Sequence, residues 1–213
     1  MELLTGFIDL VLHLDRHLQW LVANYGIWVY AILFAIIFAE TGFVVTPFLP
    51  GDSLLFVAGA VAAGGALDVH ALFGLLALAA ILGNTLNFEI GRWLGPKLFH
   101  EKRSRWLDPK HLETAHAFYE RHGGKAVVIS RFLPIVRTYI PFVAGMARMR
   151  TATFLAYNIA GGALWTGSLC YAGYFFGNIP WIKGNLTLLI IGIIVVSLLP
   201  LAVAWLRSRT KKG

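Results

Sequence analysis

Charge is scarce in this chain and cysteine is almost missing. Only 14% of its 213 residues are charged and 58% are hydrophobic, whereas about a quarter of a soluble globular protein is charged. With a mean hydropathy of +0.70, that balance excludes an ordinary soluble domain and reads as an integral membrane protein of single-domain size. A lone cysteine, Cys170, excludes an intrachain disulfide, and the apolar run around it reads as packing. Metal-ligand spacing is lacking as well. His13 and His17 are four apart with no third ligand, and His100, His111, His116 and His122 are scattered through a polar stretch. Neither a metal nor a cofactor is expected. Acidic residues number 11 against 18 Lys and Arg, a formal net charge of +7. The basic residues flank apolar runs instead of forming one patch, which argues for positive-inside bias and against a nucleic-acid partner. Glu2 and Asp9 precede any basic residue, the wrong polarity for a cleavable signal peptide.

What is present is a series of apolar runs, some whole and some broken. Residues 1–25 place leucines at three- and four-residue steps and predict an amphipathic interfacial helix. Residues 27–64 hold two apolar arms around Glu40, Pro47, Pro50, Gly51 and Asp52. A helix does not pass straight through those prolines, so this segment is expected to be a re-entrant, broken-helix hairpin. Residues 69–94 are long enough to span, although Asn84, Asn87, Glu89 and Arg92 interrupt them. Glu89 and Arg92 are three apart and are expected to pair on the helix. Residues 95–125 form a polar loop with a short amphipathic helix announced by Asp108-Pro109. A second broken segment, 126–146, contains Arg131, Pro134, Arg137, Pro141 and Gly145. Spans follow at 151–177 and 186–206, and a basic tail at 207–213 ends the chain.

Fourteen of the 18 Lys and Arg fall on one side if each broken segment returns to the face it entered by. That places the 95–125 loop and the C-terminus in the cytoplasm, and two full crossings per segment would give the same parity. Pro47-Phe-Leu-Pro-Gly51 and Pro141-Phe-Val-Ala-Gly145 also echo one another. Paired interrupted segments of this kind point to an inverted-repeat transporter. The predicted fold is therefore an all-α membrane protein, an inverted repeat of two re-entrant hairpins plus spanning helices.

The broken segments carry opposite charges, Glu40 and Asp52 in the first and Arg131 and Arg137 in the second. Buried guanidiniums need anionic partners and suit phosphate as well as carboxylate. The acids can be neutralised by protons. The four are expected either as static ion pairs or as an anion site whose charge balance protons set. A lipid phosphatase fits poorly, because no histidine falls inside the membrane segments near Ser130-Arg131.

Three motifs carry a resemblance: Glu40…Pro47-x-x-Pro50-Gly51-Asp52, Gly83…Gly91-Arg92-x-x-Gly95, and Arg131-x-x-Pro134-x-x-Arg137-x-x-x-Pro141-x-x-x-Gly145. With Tyr171-Ala-Gly-Tyr-Phe-Phe-Gly177, they make the chain similar to the DedA family of bacterial inner-membrane proteins over nearly its whole length. Asn84 departs from it, since family members often have aspartate after the glycine. The resemblance implies two opposed re-entrant hairpins and, for several members, translocation of undecaprenyl phosphate, with links to proton-motive force and envelope integrity. On that reading Arg131 and Arg137 bind the phosphate, and Glu40 and Asp52 carry the coupling protons. Pro47, Pro50, Gly51, Pro134, Pro141 and Gly145 form the hairpin tips and hinges. Asn84, Asn87, Glu89 and Arg92 form a secondary polar set. The expected partners are a lipid phosphate, protons and membrane lipids, and a homo-oligomer is compatible. The alternative is an ion-coupled transporter or channel that maintains proton-motive force.

Overall fold

The computed structural model of the chain describes residues 14–43, 51–98, 109–177, 179–180 and 192, and the regular elements among them are all helical. Residues 1–13, Pro47, Pro50, Asp108, the tail and, apart from residue 192, the expected last span lie outside the described residues. The first helix, α1 (Leu14–Tyr25), buries Leu18 and leaves Trp20 and Tyr25 exposed, as an amphipathic segment should. Two apolar helices follow, α2 (Trp28–Gly42) and α3 (Gly51–Ala63), of 15 and 13 residues. At 1.5 Å per residue each extends about 20 Å, short of the ~30 Å hydrocarbon core.

The long α4 (Val69–Leu98) starts at Asp68, whose Oδ1 accepts the Ala71 N–H at 2.6 Å as an N-cap. Through Leu94 it is, among the described residues, the helix long and apolar enough to cross a membrane. α5 (Pro109–His122) opens on its proline. Next come a 3-10 turn (Gly123–Lys125), the short α6 (Ala126–Ile129), a second 3-10 turn (Ser130–Phe132) and α7 (Pro134–Met146). The chain breaks at Leu133, extended at φ −120° and ψ 99°, because a residue before proline is driven out of the helical region. Last is α8 (Thr151–Phe176), with 26 residues. It has the length expected of a span, with Asn158 and several glycines set along it.

The chain divides into two compact units. In the first (Met1–Phe34, Pro50–Leu76 and Thr166–Gly213), α1 lies on α3, and α3 is buried from Gly51 to Ala62 except at Asp52. Its contact with the end of α8 is backbone to backbone. A Cβ at Gly59 would overlap the Cys170 carbonyl, and one at Gly173 the Phe56 carbonyl. In the second unit (Ala35–Leu49 and Ala77–Trp165), α5 lies on α7. There a Cβ at Gly145 would overlap the Phe88 carbonyl, and one at Gly91 the Phe142 carbonyl. Phe88, Ile140, Val143 and Phe154 form the core of this unit, with the Phe88 and Phe154 rings stacked at 4.1 Å.

One plan is thus built twice. Each unit sets a short helix on the last turns of a long one through reciprocal glycine–carbonyl contacts, with an amphipathic helix on top. The sequence repeats with it: Phe56-Val-Ala-Gly59 and Phe142-Val-Ala-Gly145 are identical, and Gly91 and Gly95 match Gly173 and Gly177 in spacing. The partner of Gly145 in this scheme is therefore Gly59, about two helical turns beyond the Gly51 that the sequence echo picked out. Left-handed residues recur as well. Gly26 (φ 51°) and Gly123 (φ 56°) follow the amphipathic helices, and Gly65 (φ 83°) and Arg148 (φ 53°) precede the long ones. At the last of these the turn geometry holds even with a side chain present, at a cost of about 1–2 kcal/mol.

The seams give a direct test. Gly145→Ala should lower the thermal unfolding midpoint of the detergent-solubilised protein, by an overpacking cost of about 1–3 kcal/mol. Gly74→Ala, on α4 where nothing lies within 4 Å, should leave it unchanged or raise it through helix propensity, worth about 1 kcal/mol.

Candidate functional site

Five elements of the second unit bring charged and amide side chains to one place. Glu40 stands in the last turn of α2 and is 1% exposed. Beside it Thr41 returns its hydroxyl to the Ile37 carbonyl at 2.8 Å. Arg137 is in the first turns of α7, and its Nη2 donates to Glu40 Oε1 in a largely buried ion pair. Arg131 lies in the 3-10 turn just before the Leu133 break and is 3% exposed. The break lets both arginines, six residues apart in sequence, serve one pocket. That pocket is lined by Glu40, Thr41, Asn84, Arg131, Arg137, Thr138 and Trp165.

Arg131 is held differently from Arg137. Its Nη2 donates to Asn158 Oδ1 at 2.6 Å and, more weakly, to the Ala80 carbonyl at 3.4 Å and the Asn158 carbonyl at 3.5 Å. Asn158 is fixed in turn. Its Nδ2 donates to the Ile81 carbonyl at 2.9 Å and to Thr85 Oγ1 at 3.2 Å, and its Oδ1 also accepts from Asn84 Nδ2 at 3.3 Å. Gly161 and Gly162 on α8 leave room for the guanidinium, since a Cβ at Gly161 would come within 3.2 Å of Arg131 Cδ. Both arginines sit over the Trp165 ring, at 5.9 Å for Arg131 and 5.2 Å for Arg137, within cation–π range. Asn87 closes the arrangement, donating to the Thr138 carbonyl at 2.8 Å and the Thr41 carbonyl at 3.4 Å. That ties α7 and the end of α2 to α4.

Residues 49–175 match the VTT domain family. Protein DedA of Escherichia coli (strain K12) is 54% identical over 211 residues, covering 98% of this chain and 96% of that protein. The chain belongs to the DedA family. An uncharacterized membrane protein of Mycobacterium leprae (strain TN) is 43% identical, with 84% of this chain and 82% of that one covered. Inner membrane protein YghB of Escherichia coli (strain K12) is 37% identical over 155 residues, 73% of this chain and 71% of its own. No solved structure matches the chain.

Against the motifs that this DedA-family chain displays in sequence, the structure joins Glu40, Arg131, Arg137 and Asn84 around the pocket, with Asn87 bracing it. Asp52 is in the first turn of α3, half-buried, in the other unit. Gly51 opens that helix, Pro134 opens α7, Pro141 lies inside α7 and Gly145 makes a seam. The expected pairing of Glu89 with Arg92 does not form. Both are exposed, and Arg92 Nη1 donates instead to Thr151 Oγ1 at 2.9 Å. A solvent-facing i,i+3 pair gains only about 0.2–0.5 kcal/mol, too little to hold two long side chains. Asn158, Trp165, Thr41 and Thr138 are site residues that the motifs did not single out. Asn158 carried a signal, an amide in the middle of an apolar helix.

The ion pair predicts a strong coupling. Glu40→Gln and Arg137→Gln should each destabilise the protein by about 3–5 kcal/mol, because each leaves a buried charge without its partner. The double variant should cost clearly less than the sum of the two, read from thermal or denaturant unfolding in a double-mutant cycle.

Proposed function

We propose that this protein translocates a polyprenyl lipid phosphate, undecaprenyl phosphate in the family's case, across the bacterial inner membrane in exchange for protons, returning the carrier lipid for reuse. The observation that carries this reading is a pocket lined by one buried guanidinium, Arg131, one part-buried guanidinium, Arg137, one buried carboxylate and an aromatic wall in a highly apolar protein. Arginine meets a phosphate monoester with a planar fork of donors and keeps its charge when buried. A proton on Glu40 cancels the carboxylate that engages Arg137 and turns both cations toward the headgroup, while the polyprenyl tail stays in lipid. Asp52, in the first turn of α3, serves as the second proton carrier. The inner-membrane location is supported by the names of relatives such as YghB.

The twofold plan of glycine seams and left-handed turns supports an inverted repeat whose hairpins re-enter the bilayer, and the length of α2 and α3 suits arms that do not cross it. The charge asymmetry of the chain supports a cytoplasmic 95–125 loop and C-terminus. We assign the site binding rather than catalysis. The neighbouring hydroxyl, Ser130 Oγ, donates to the Val127 carbonyl at 3.3 Å, and the pocket lining has no histidine.

In proteoliposomes, wild-type protein should move a polyprenyl phosphate between leaflets at a rate that falls when an ionophore dissipates the pH gradient. Arg131→Ala and Arg137→Ala should each reduce the rate by at least about tenfold. Unchanged transport in both variants would remove the phosphate role. Proton current without lipid movement would favour the ion-coupled channel.

A further inference from the structure

The pocket lining holds two cations, Arg131 and Arg137, and one anion, Glu40. The two cations are not equivalent. Arg137 is engaged by the carboxylate. Arg131 ends on the neutral amide of Asn158, and among the described residues no carboxylate lies within ion-pair distance of it. Its Nε is buried with no hydrogen-bond partner. Burial of a cation without a counter-charge is costly in a low-dielectric interior, so this one is held by the fold for a charge that arrives from outside.

Asn158 is what holds it. The Ile81 carbonyl can only accept, so the 2.9 Å bond from Nδ2 fixes which end of the amide faces Arg131. Oδ1 then meets the guanidinium at 2.6 Å without neutralising it. An aspartate has the same outline at this position, but it would cancel the charge and would set an oxygen against the Ile81 carbonyl.

We propose that Asn158 is the positioning residue of the anion site: it presents Arg131 as the cation that first captures a phosphate anion, while Arg137 stays with Glu40 until the headgroup is in place. This deepens the reading of the site as a phosphate site and rests on it. The shared chemistry is a phosphate anion, from a lipid headgroup or from free phosphate.

The test is binding to the full-length protein in detergent by isothermal titration calorimetry, with farnesyl monophosphate, inorganic phosphate and uncharged farnesol as probes. Wild type should bind the monophosphate and not farnesol. N158D and R131Q should each bind it roughly a hundredfold more weakly, the scale of one unit charge a few ångströms away at an intermediate dielectric. E40Q/R137Q, which removes the paired charges and leaves Arg131, should lose less affinity than R131Q does, because the capturing cation remains. N158D/E40Q, which restores the net charge of the lining to that of wild type, should regain most of the loss. A purely structural role for Asn158 predicts no such rescue. N158D or R131Q binding like wild type, or N158D/E40Q no tighter than N158D, overturns the proposal and leaves the phosphate reading standing. If N158D does not fold, R131Q against E40Q/R137Q decides, and weaker binding by the latter overturns the assignment. Preference for inorganic phosphate would keep Arg131 as the capturing cation and remove the lipid from the functional reading. Failure of wild type to bind either phosphate overturns both.

Discussion

An excess of positive charge inside an apolar protein is the constraint on which the second unit depends. Glu40 is buried and Arg137 largely so, and the two hold one another, while the hydrogen-bond acceptors of buried Arg131 among the described residues are amide and carbonyl oxygens. Such an arrangement persists only if the surrounding structure dictates it. Four devices do so here: the break before Pro134, the amide network from Asn84 to Asn158, the brace of Asn87, and the glycines on α8 that admit the guanidinium.

The glycine seams explain how helices too short to span can still be held firmly. Where Gly145 meets the Phe88 carbonyl and Gly59 meets that of Cys170, the helix axes come as close as backbone allows. Dispersion contacts then accumulate along α3 and α7, where buried side chains such as Leu55 and Ile140 pack beside the seams. That both units use the same four residues, Phe-Val-Ala-Gly, shows how few positions such a seam requires.

Much of this was legible in the sequence. The helix positions followed from apolar runs punctuated by Gly-Gly, Asp-Pro and Arg-x-x-Pro. Four charges, Glu40, Asp52, Arg131 and Arg137, stood out by the expense of putting them into such runs at all; three of them line one pocket, and Asp52 lies in the other unit. The echo of residues 47–51 with 141–145 falls partly outside the described residues, and the match that the helix contacts display is 56–59 with 142–145, four residues that in sequence resemble ordinary apolar filler. Asn158 was passed over for a related reason. Its role depends on which residues of α4 and of the 3-10 turn it faces, and no periodicity within α8 reveals that. Glu89 and Arg92 mislead in the opposite direction, since spacing that permits a pair does not supply enough energy to form one in solvent.

Pro141 has a mechanical consequence. Arg137 and Gly145 sit on one helix, about 12 Å apart along its axis, with this proline between them. Gly145 is pinned by backbone contact, whereas proline can offer no amide hydrogen to the carbonyl four residues back, which is that of Arg137. The charged end of α7 is therefore joined to its anchored end by a softened elbow. A guanidinium mounted in this way has a freedom of movement that the seam holding the unit together does not share.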